Sequence, residues 1–296
     1  LRRCDTNDTT KVVAVWDERY CTDAAHTNST SKQAEVMRLA EAEGLVSTMT
    51  APFGAEQAWT AIATVHNPAY VEAVRTGSPR GLAESQGFPR WSPEFAESVA
   101  RIWSGHLVAC KVARDCGLVL HPVSGAHHAG YGSGSAYCTF NYLVGAARAV
   151  AADMERTVAI IDLDAHAGDG TFRLAGDEPT IALFDIAASR WVETPQNDRI
   201  EYYVVNDAEK YRAALDRLPA FLDRLQPGLV QYQAGMDPFE GDPVGGITGV
   251  TAAFLEARDR FVIEAVRSRG IPLVVNLAGG DGTGVSERLH VTTIRA

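Results

Sequence analysis

The sequence predicts an α/β protein built on a single doubly wound, mainly parallel sheet with helices on both faces. Two observations carry this prediction. Short apolar runs of strand length alternate along the chain with segments whose apolar residues recur at helical spacing, the pattern of successive βα units. Several of those runs also end in acids, histidines and glycines, and an open parallel sheet places its chemistry at the carboxyl ends of its strands. There are no internal repeats and no low-complexity segment, so residues 1–296 read as one domain, within the size range of a single α/β unit.

The elements follow in order. Lys11 to Trp16 reads as a buried first strand, Ser31 to Glu43 as a helix stopped by Gly44, and Ser47 to Ala51 as a second short strand. His66 to Val74 reads as a turn that feeds a short helix, and the Gly-, Ser- and Pro-rich stretch from Thr76 to Pro89 as a long surface loop. Ser92-Pro93 opens the clearest helix. Serine is a strong N-cap and proline fits the first helical position, Phe95, Val99, Ile102, Trp103 and Leu107 follow at helical spacing, and Gly117 closes it. Leu118 to Leu120, Thr157 to Asp162, Thr180 to Phe184, Leu229 to Gln233 and Leu273 to Leu277 are further strands. Between them lie helices over Asn141 to Ala152, Asp207 to Leu225 with an expected kink at Pro219, and Thr248 to Arg269.

Composition limits the function. The chain is 46% apolar and 22% charged, ordinary for a soluble globular protein. A net charge of -10 with no basic stripe argues against nucleic-acid or anionic-membrane partners and mildly favours a cationic substrate. No run approaches the ~18 apolar residues of a membrane span, and the polar start Leu1-Arg2-Arg3-Cys4-Asp5 is not a signal peptide. Cys4, Cys21, Cys110, Cys116 and Cys138 are odd in number and contain no Cys-x-x-Cys, so reduced thiols in a cytoplasm are expected.

The most informative stretch is Asp162-Leu163-Asp164-Ala165-His166-Ala167-Gly168-Asp169-Gly170-Thr171, which continues an apolar strand. Residues at i, i+2 and i+4 of an extended strand share a face, so Asp162, Asp164 and His166 can leave it together. Two carboxylates and an imidazole so close need a cation or a set of hydrogen bonds between them. Taken alone, Asp-x-His is equally compatible with a capping acid beside a core histidine, and a double histidine in a loop is more often structural. The chain, however, places His127-His128, the Asp162 to Asp169 segment and Asp237 after three different strands, and in one parallel sheet those ends converge on one crevice.

These residues resemble the histone deacetylase and acetylpolyamine amidohydrolase family, of the arginase-deacetylase fold. Gly125-Ala126-His127-His128-Ala129 resembles its paired-histidine block, and Ala136-Tyr137-Cys138-Thr139-Phe140-Asn141 its Gly-Phe-Cys-x-x-Asn block. The Asp162 to Thr171 stretch resembles its Asp-x-Asp-x-His-His-Gly block, and Ala234-Gly235-Met236-Asp237 with Gly241-Asp242-Pro243-Val244-Gly245 the segment supplying its last metal ligand. The resemblance runs from Val12 to the end. It implies a deacetylase-like catalytic domain in which Asp164, His166 and Asp237 hold one divalent ion, usually zinc, with ferrous iron or another divalent ion as alternatives. Three protein ligands leave open positions for water and substrate, as in catalytic sites. It further implies His127 and His128 as an acid-base pair oriented by Asp162 and Asp169, and assigns Tyr137, Trp191 and Gly280 to substrate binding.

The chain also departs from the family pattern. Ala167 stands where a second histidine is usual, and Ala136 where a glycine is. Phe184 falls about where a serine helps to hold a potassium ion, which leaves potassium open. Gly279-Gly280 should be followed by a tyrosine that hydrogen-bonds the developing oxyanion, yet Asp281 follows and Tyr232 is the last tyrosine of the chain. Because the closing segment Gly284 to Ile294 arrives early, we favour a short tyrosine-bearing stretch between Gly280 and Asp281, with a direct junction as the alternative. The leading expectation is a metal-dependent amidohydrolase that removes an acetyl or other short acyl group from an acylated amine such as an acetylpolyamine or acetyl-lysine. A non-catalytic acyl-amine binding protein of the same fold is the second. A two-metal ureohydrolase is third, disfavoured because Gly168 and Gly235 occupy positions where it needs acids.

Overall fold

The computed structural model describes residues 11–22, 31–88, 90–189, 193 and 197–296. Its centre is an eight-stranded sheet comprising β1 (Val12–Val15), β2 (Val46–Met49), β3 (Leu118–His121), β4 (Val158–Asp162), β5 (Ile181–Ala187), β6 (Ile200–Val204), β7 (Leu229–Gln233) and β8 (Leu273–Asn276). The strands lie in the order β2-β1-β3-β8-β7-β4-β5-β6, and every pairing is parallel. A sheet covered on both faces buries its central strands on both sides, and β4, β5, β7 and β8 are buried at every position. The expected class is therefore observed, with a wholly parallel sheet.

The long helix Pro93–Cys116 starts and stops as its sequence dictates. Ser92 accepts a hydrogen bond from the Phe95 N–H through its hydroxyl at 3.1 Å, a proline occupies the first turn, and Gly117 closes the helix at φ 81°. Four features differ from expectation. The 208–225 region is two helices, Ala208–Leu215 and Leu218–Leu225, because Pro219 sits at the start of the second, where its missing N–H costs nothing. The 76–89 stretch contains a helical turn at Arg80–Ala83. β6 is a half-exposed edge strand whose weak alternation hid it. Helices at Ala55–Ile62, Asp169–Ala175 and Ser286–Arg295 were also not foreseen.

The reduced-thiol expectation fails at one position. Cys116 is disulfide-bonded, whereas Cys21, Cys110 and Cys138 are free. Among the described residues, no helix is long and apolar enough to cross a membrane.

Register aligns polar side chains at the carboxyl edge of the sheet. His121 pairs with Asn276, Asn276 with Gln233, Gln233 with Asp162, and Asp162 with Asp185. Partners in register on neighbouring strands point to the same face, so a buried row of polar groups crosses the sheet at the last residue of β3, β4, β7 and β8 and at Asp185, two residues before the end of β5. The loops that leave this edge carry the candidate site.

Candidate active site

β4 stops at Asp162, and the chain turns instead of continuing as a strand. Asp162 therefore does not join the two side chains that follow it. Its Oδ1 accepts the Asp164 N–H at 3.2 Å and its Oδ2 receives the His127 ring Nδ1 at 2.9 Å. Beyond the turn, Asp164 and His166 meet Asp237, which lies four residues past the end of β7. One ligand-type atom from each of the three lies within 4.8 Å of the others. His166 Nδ1 sits 2.8 Å from Asp237 Oδ2 and 3.2 Å from Asp164 Oδ1.

Backbone groups fix this trio. The His166 N–H donates to Asp164 Oδ1 at 3.0 Å, the Ala165 N–H to Asp237 Oδ1 at 2.9 Å, and the Gly279 N–H to Asp164 Oδ2 at 2.8 Å. Gly279 must be glycine. A Cβ there would fall 2.4 Å from Asp164 Oδ2 and 2.7 Å from Asp237 Oδ2, inside the space those two oxygens share.

The electrostatics are those of a cation site. Asp164 and Asp237 are 2% and 1% exposed. Burial and the Asp164 charge push Asp237 up to about 8, while Asp164 is held well below the carboxylate range against its own burial by His127 and His166. Burial would lower His166, but its hydrogen bonds to both carboxylates raise it to about 11. Two buried carboxylates that cannot both ionise cheaply, with an imidazole nitrogen directed between them, form a mixed N/O donor set suited to a divalent transition ion. Asp164, His166 and Asp237 therefore fit the metal that the sequence reading places on them.

The paired histidines lie beside the trio, their ring centroids 4.0 Å apart. His128 Nδ1 is 2.7 Å from Asp169 Oδ1, and Asp169 Oδ2 pairs with Arg173. His127 Nε2 approaches Asp164 Oδ1 at 4.0 Å. Asp169 begins the unforeseen helix 169–175, so the turn after β4 supplies the carboxylate to one ring from its strand end and to the other from a helix start. Gly170 makes this possible, since a Cβ there would meet the Ala129 carbonyl oxygen at 2.4 Å.

The substrate-binding expectations have mixed outcomes. Tyr137 is partly exposed, takes φ 64°, and donates its N–H to the Gln86 carbonyl at 2.7 Å; Ala136 before it has φ 41°, the left-handed region that favours glycine. With Gly125 and Cys138, Tyr137 lines a cavity of about 90 Å³ whose walls include none of Asp164, His166 and Asp237. Trp191 lies outside the described residues. Gly280 is present at φ 130°, but the favoured intervening stretch does not exist, because the full sequence runs directly from Gly280 to Asp281. No tyrosine follows, and the Asp281 N–H donates instead to Asp242 Oδ2 at 2.8 Å.

Two nearby groups were not among the expected site residues. Lys32 is 1% exposed and donates through Nζ to the Ala278 carbonyl at 2.7 Å and the Gly280 carbonyl at 3.3 Å. Burial lowers its ammonium to about 8, although Asp237 and Asp164 act to raise it. Asp185, and not Phe184, is the side chain beside Asp162; Phe184 packs on Phe221 and Tyr203. Burial and the Asp162 charge hold Asp185 well above the carboxylate range, while its Oδ2 accepts the Gly168 N–H at 2.9 Å.

Comparison with known proteins gives the class. The histone deacetylase domain model matches residues 26–294, so the chain belongs to that family. It is 27% identical over 241 residues to an uncharacterised protein of the cyanobacterium Picosynechococcus, covering 79% of each chain. It is 24% identical over 273 residues to histone deacetylase 2 of Arabidopsis thaliana, covering 86% of this chain and 69% of the relative. The fold matches the crystal structure of an acetylpolyamine aminohydrolase from Burkholderia pseudomallei with a TM-score of 0.80 at 16% identity, covering 96% of this chain and 97% of the other.

Proposed function

We propose that the chain is a single catalytic domain that hydrolyses the amide of a short acyl group, such as acetyl, on an amine. Asp164, His166 and Asp237 would hold one divalent ion, for which zinc is the first candidate, and His127 and His128 would serve as the acid-base pair. The observation that carries this reading is the pair of carboxylate-backed histidines set beside a convergent Asp-His-Asp trio. When bound, the ion lowers the pKa of a water towards 7 and polarises the substrate carbonyl.

The protein's own groups divide the proton work. Burial lowers His127, but Asp162 and Asp164 outweigh it and raise the ring to about 10, whereas burial and the neighbouring His127 lower His128 despite Asp169. Paired titratable groups whose environments push them apart take opposite roles. His128, the ring whose pKa is lowered, would accept the proton of the attacking water. His127, the ring whose pKa is raised, would give a proton to the leaving amine and recover it from its protonated neighbour His128 at the end of the cycle. Tyr137 would flank the acyl chain, and the net charge of -10 favours a cationic amine as substrate over nucleic acid or a membrane surface. The Cys116 disulfide removes the thiol argument for a reducing cytoplasm, so no location forms part of this proposal.

The direct Gly280-Asp281 junction supports a second reading, an acyl-amine binding protein with little turnover, because an oxyanion donor contributes ~10² to 10³ in rate. Incubation of the zinc-loaded protein with acetylated polyamines and acetyl-lysine, with acetate release measured before and after chelation, separates the two readings. Chelator-sensitive release supports the hydrolase; saturable binding without release supports the binding protein.

A further inference from the structure

We propose that Arg258 is a positioning residue for the ion of the Asp164, His166 and Asp237 site, setting the spacing between the two strand ends that carry those ligands. This inference rests on the metal reading above. Arg258 lies on the helix Ala252–Arg267 with its side chain fully buried. Its Nη1 donates to the Leu163 carbonyl at 3.2 Å and to the Gly235 carbonyl at 2.8 Å. Leu163 is the residue before Asp164, and Gly235 stands two before Asp237. One guanidinium nitrogen therefore ties together the backbones that deliver two of the three ligands.

The tie is itself braced. Arg258 Nε donates to Asp259 Oδ1 at 2.8 Å, the Tyr232 hydroxyl donates to the same oxygen at 2.5 Å, and the Thr293 hydroxyl reaches Asp259 Oδ2 from the C-terminal helix. The Tyr211 hydroxyl adds a weaker bond to the Leu163 carbonyl at 3.4 Å. Burial disfavours the guanidinium charge, but Asp259 outweighs this and holds the group firmly protonated.

Packing alone does not call for such an arrangement. A buried ion pair is often no more stabilising than apolar residues of the same volume, whereas the rigid fork of arginine holds its partners at fixed geometry. On the ligand side, the Ala165 N–H to Asp237 Oδ1 bond, the His166 Nδ1 contact with Asp237 Oδ2 at 2.8 Å and the Leu163 N–H to Gln233 carbonyl bond, at 3.1 Å, span the same two segments. Arg258 closes the span from behind, and groups that orient ligands from behind typically contribute ~10 to 100-fold to metal affinity.

The test measures zinc dissociation constants by competition with a chromophoric chelator, and the visible spectrum of the cobalt-loaded protein, alongside the melting temperature of the metal-free protein. Arg258→Lys, which keeps the charge but is shorter and loses the planar fork that bonds Asp259 and the two carbonyls together, should weaken zinc at least ~10-fold and alter the cobalt spectrum. The paired change Arg258→Gln with Asp259→Asn, which leaves no unpaired buried charge, should do the same and decides the question if the lysine variant does not fold. Thr293→Val, which loosens the brace without touching either carbonyl bond, should lower the melting temperature and leave the zinc constant near wild type. Folded Arg258 variants with the wild-type constant and spectrum would overturn the proposal while leaving the metal reading intact. A wild-type protein that binds no zinc or cobalt would overturn both.

Discussion

His127 and His128 are adjacent in sequence and their ring centroids lie 4.0 Å apart, tilted by 49°, yet their Nδ1 atoms lead to different carboxylates, Asp162 and Asp169. The two rings thereby acquire opposite tendencies in protonation from a shared location, and the pH behaviour of the protein should reveal it.

Activity should rise with pH as His128 loses its proton and fall at higher pH as His127 loses its own. Asp169 raises His128, so Asp169→Asn lowers that pKa and moves the acidic limb of kcat/KM to lower pH, with a smaller loss of rate than removal of the ring. Asp162 raises His127, so Asp162→Asn moves the alkaline limb to lower pH. pH profiles of the two variants check both signs, and a shift of the acidic limb to higher pH in Asp169→Asn would reject the assignment of His128 as base.

Removal of either ring should cost turnover without costing metal. Positioned acid-base groups contribute roughly 10² to 10⁴, so His127→Ala and His128→Ala should each lower kcat by ~10²-fold or more while metal content stays near wild type. Loss of the ion in His128→Ala would mean that His128 is itself a ligand.

Much of this arrangement was legible because strand ends are legible. Apolar runs with period-free burial placed β3, β4, β7 and β8, and the polar residues that interrupt them fell together as a parallel sheet requires. Tyrosine loss after Gly280 was equally plain, and only its explanation changed, since Asp281 follows directly. Groups that act through backbone were not legible. Lys32 begins a helix like any surface lysine, and its contacts with Ala278 and Gly280 join residues 246 and 248 positions apart. Arg258 and Asp259 had a faint signal, as charges on the apolar side of a helix. Asp185 had a clearer one, a lone acid within the run Ile181–Ala187. Strand alternation grouped Asp162 with Asp164 and His166 because it was extended past the point where the strand turns, whereas the resemblance set Asp162 behind His127, where it lies.

The Gly280-Asp281 junction makes its own prediction. Asp281 lacks the phenol hydroxyl that a tyrosine would offer an oxyanion, so wild-type turnover should be slow. Asp281→Tyr keeps the backbone N–H that bonds Asp242 and supplies a hydroxyl, and should raise kcat on an acetylated amine by ~10-fold or more towards the ~10² to 10³ such donors provide. Steady-state kinetics of that variant are the check; an unchanged kcat would show that a missing donor does not limit the rate.

The central claim is that Asp164, His166 and Asp237 hold one catalytic ion. Elemental analysis of the purified protein and of Asp164→Ala and Asp237→Ala, paired with acetate release from an acetylated amine, tests it most directly. About one equivalent of divalent metal in the wild type, lost together with activity in both variants, is the predicted result. Variants that keep full metal and full activity would contradict it and place the chemistry elsewhere.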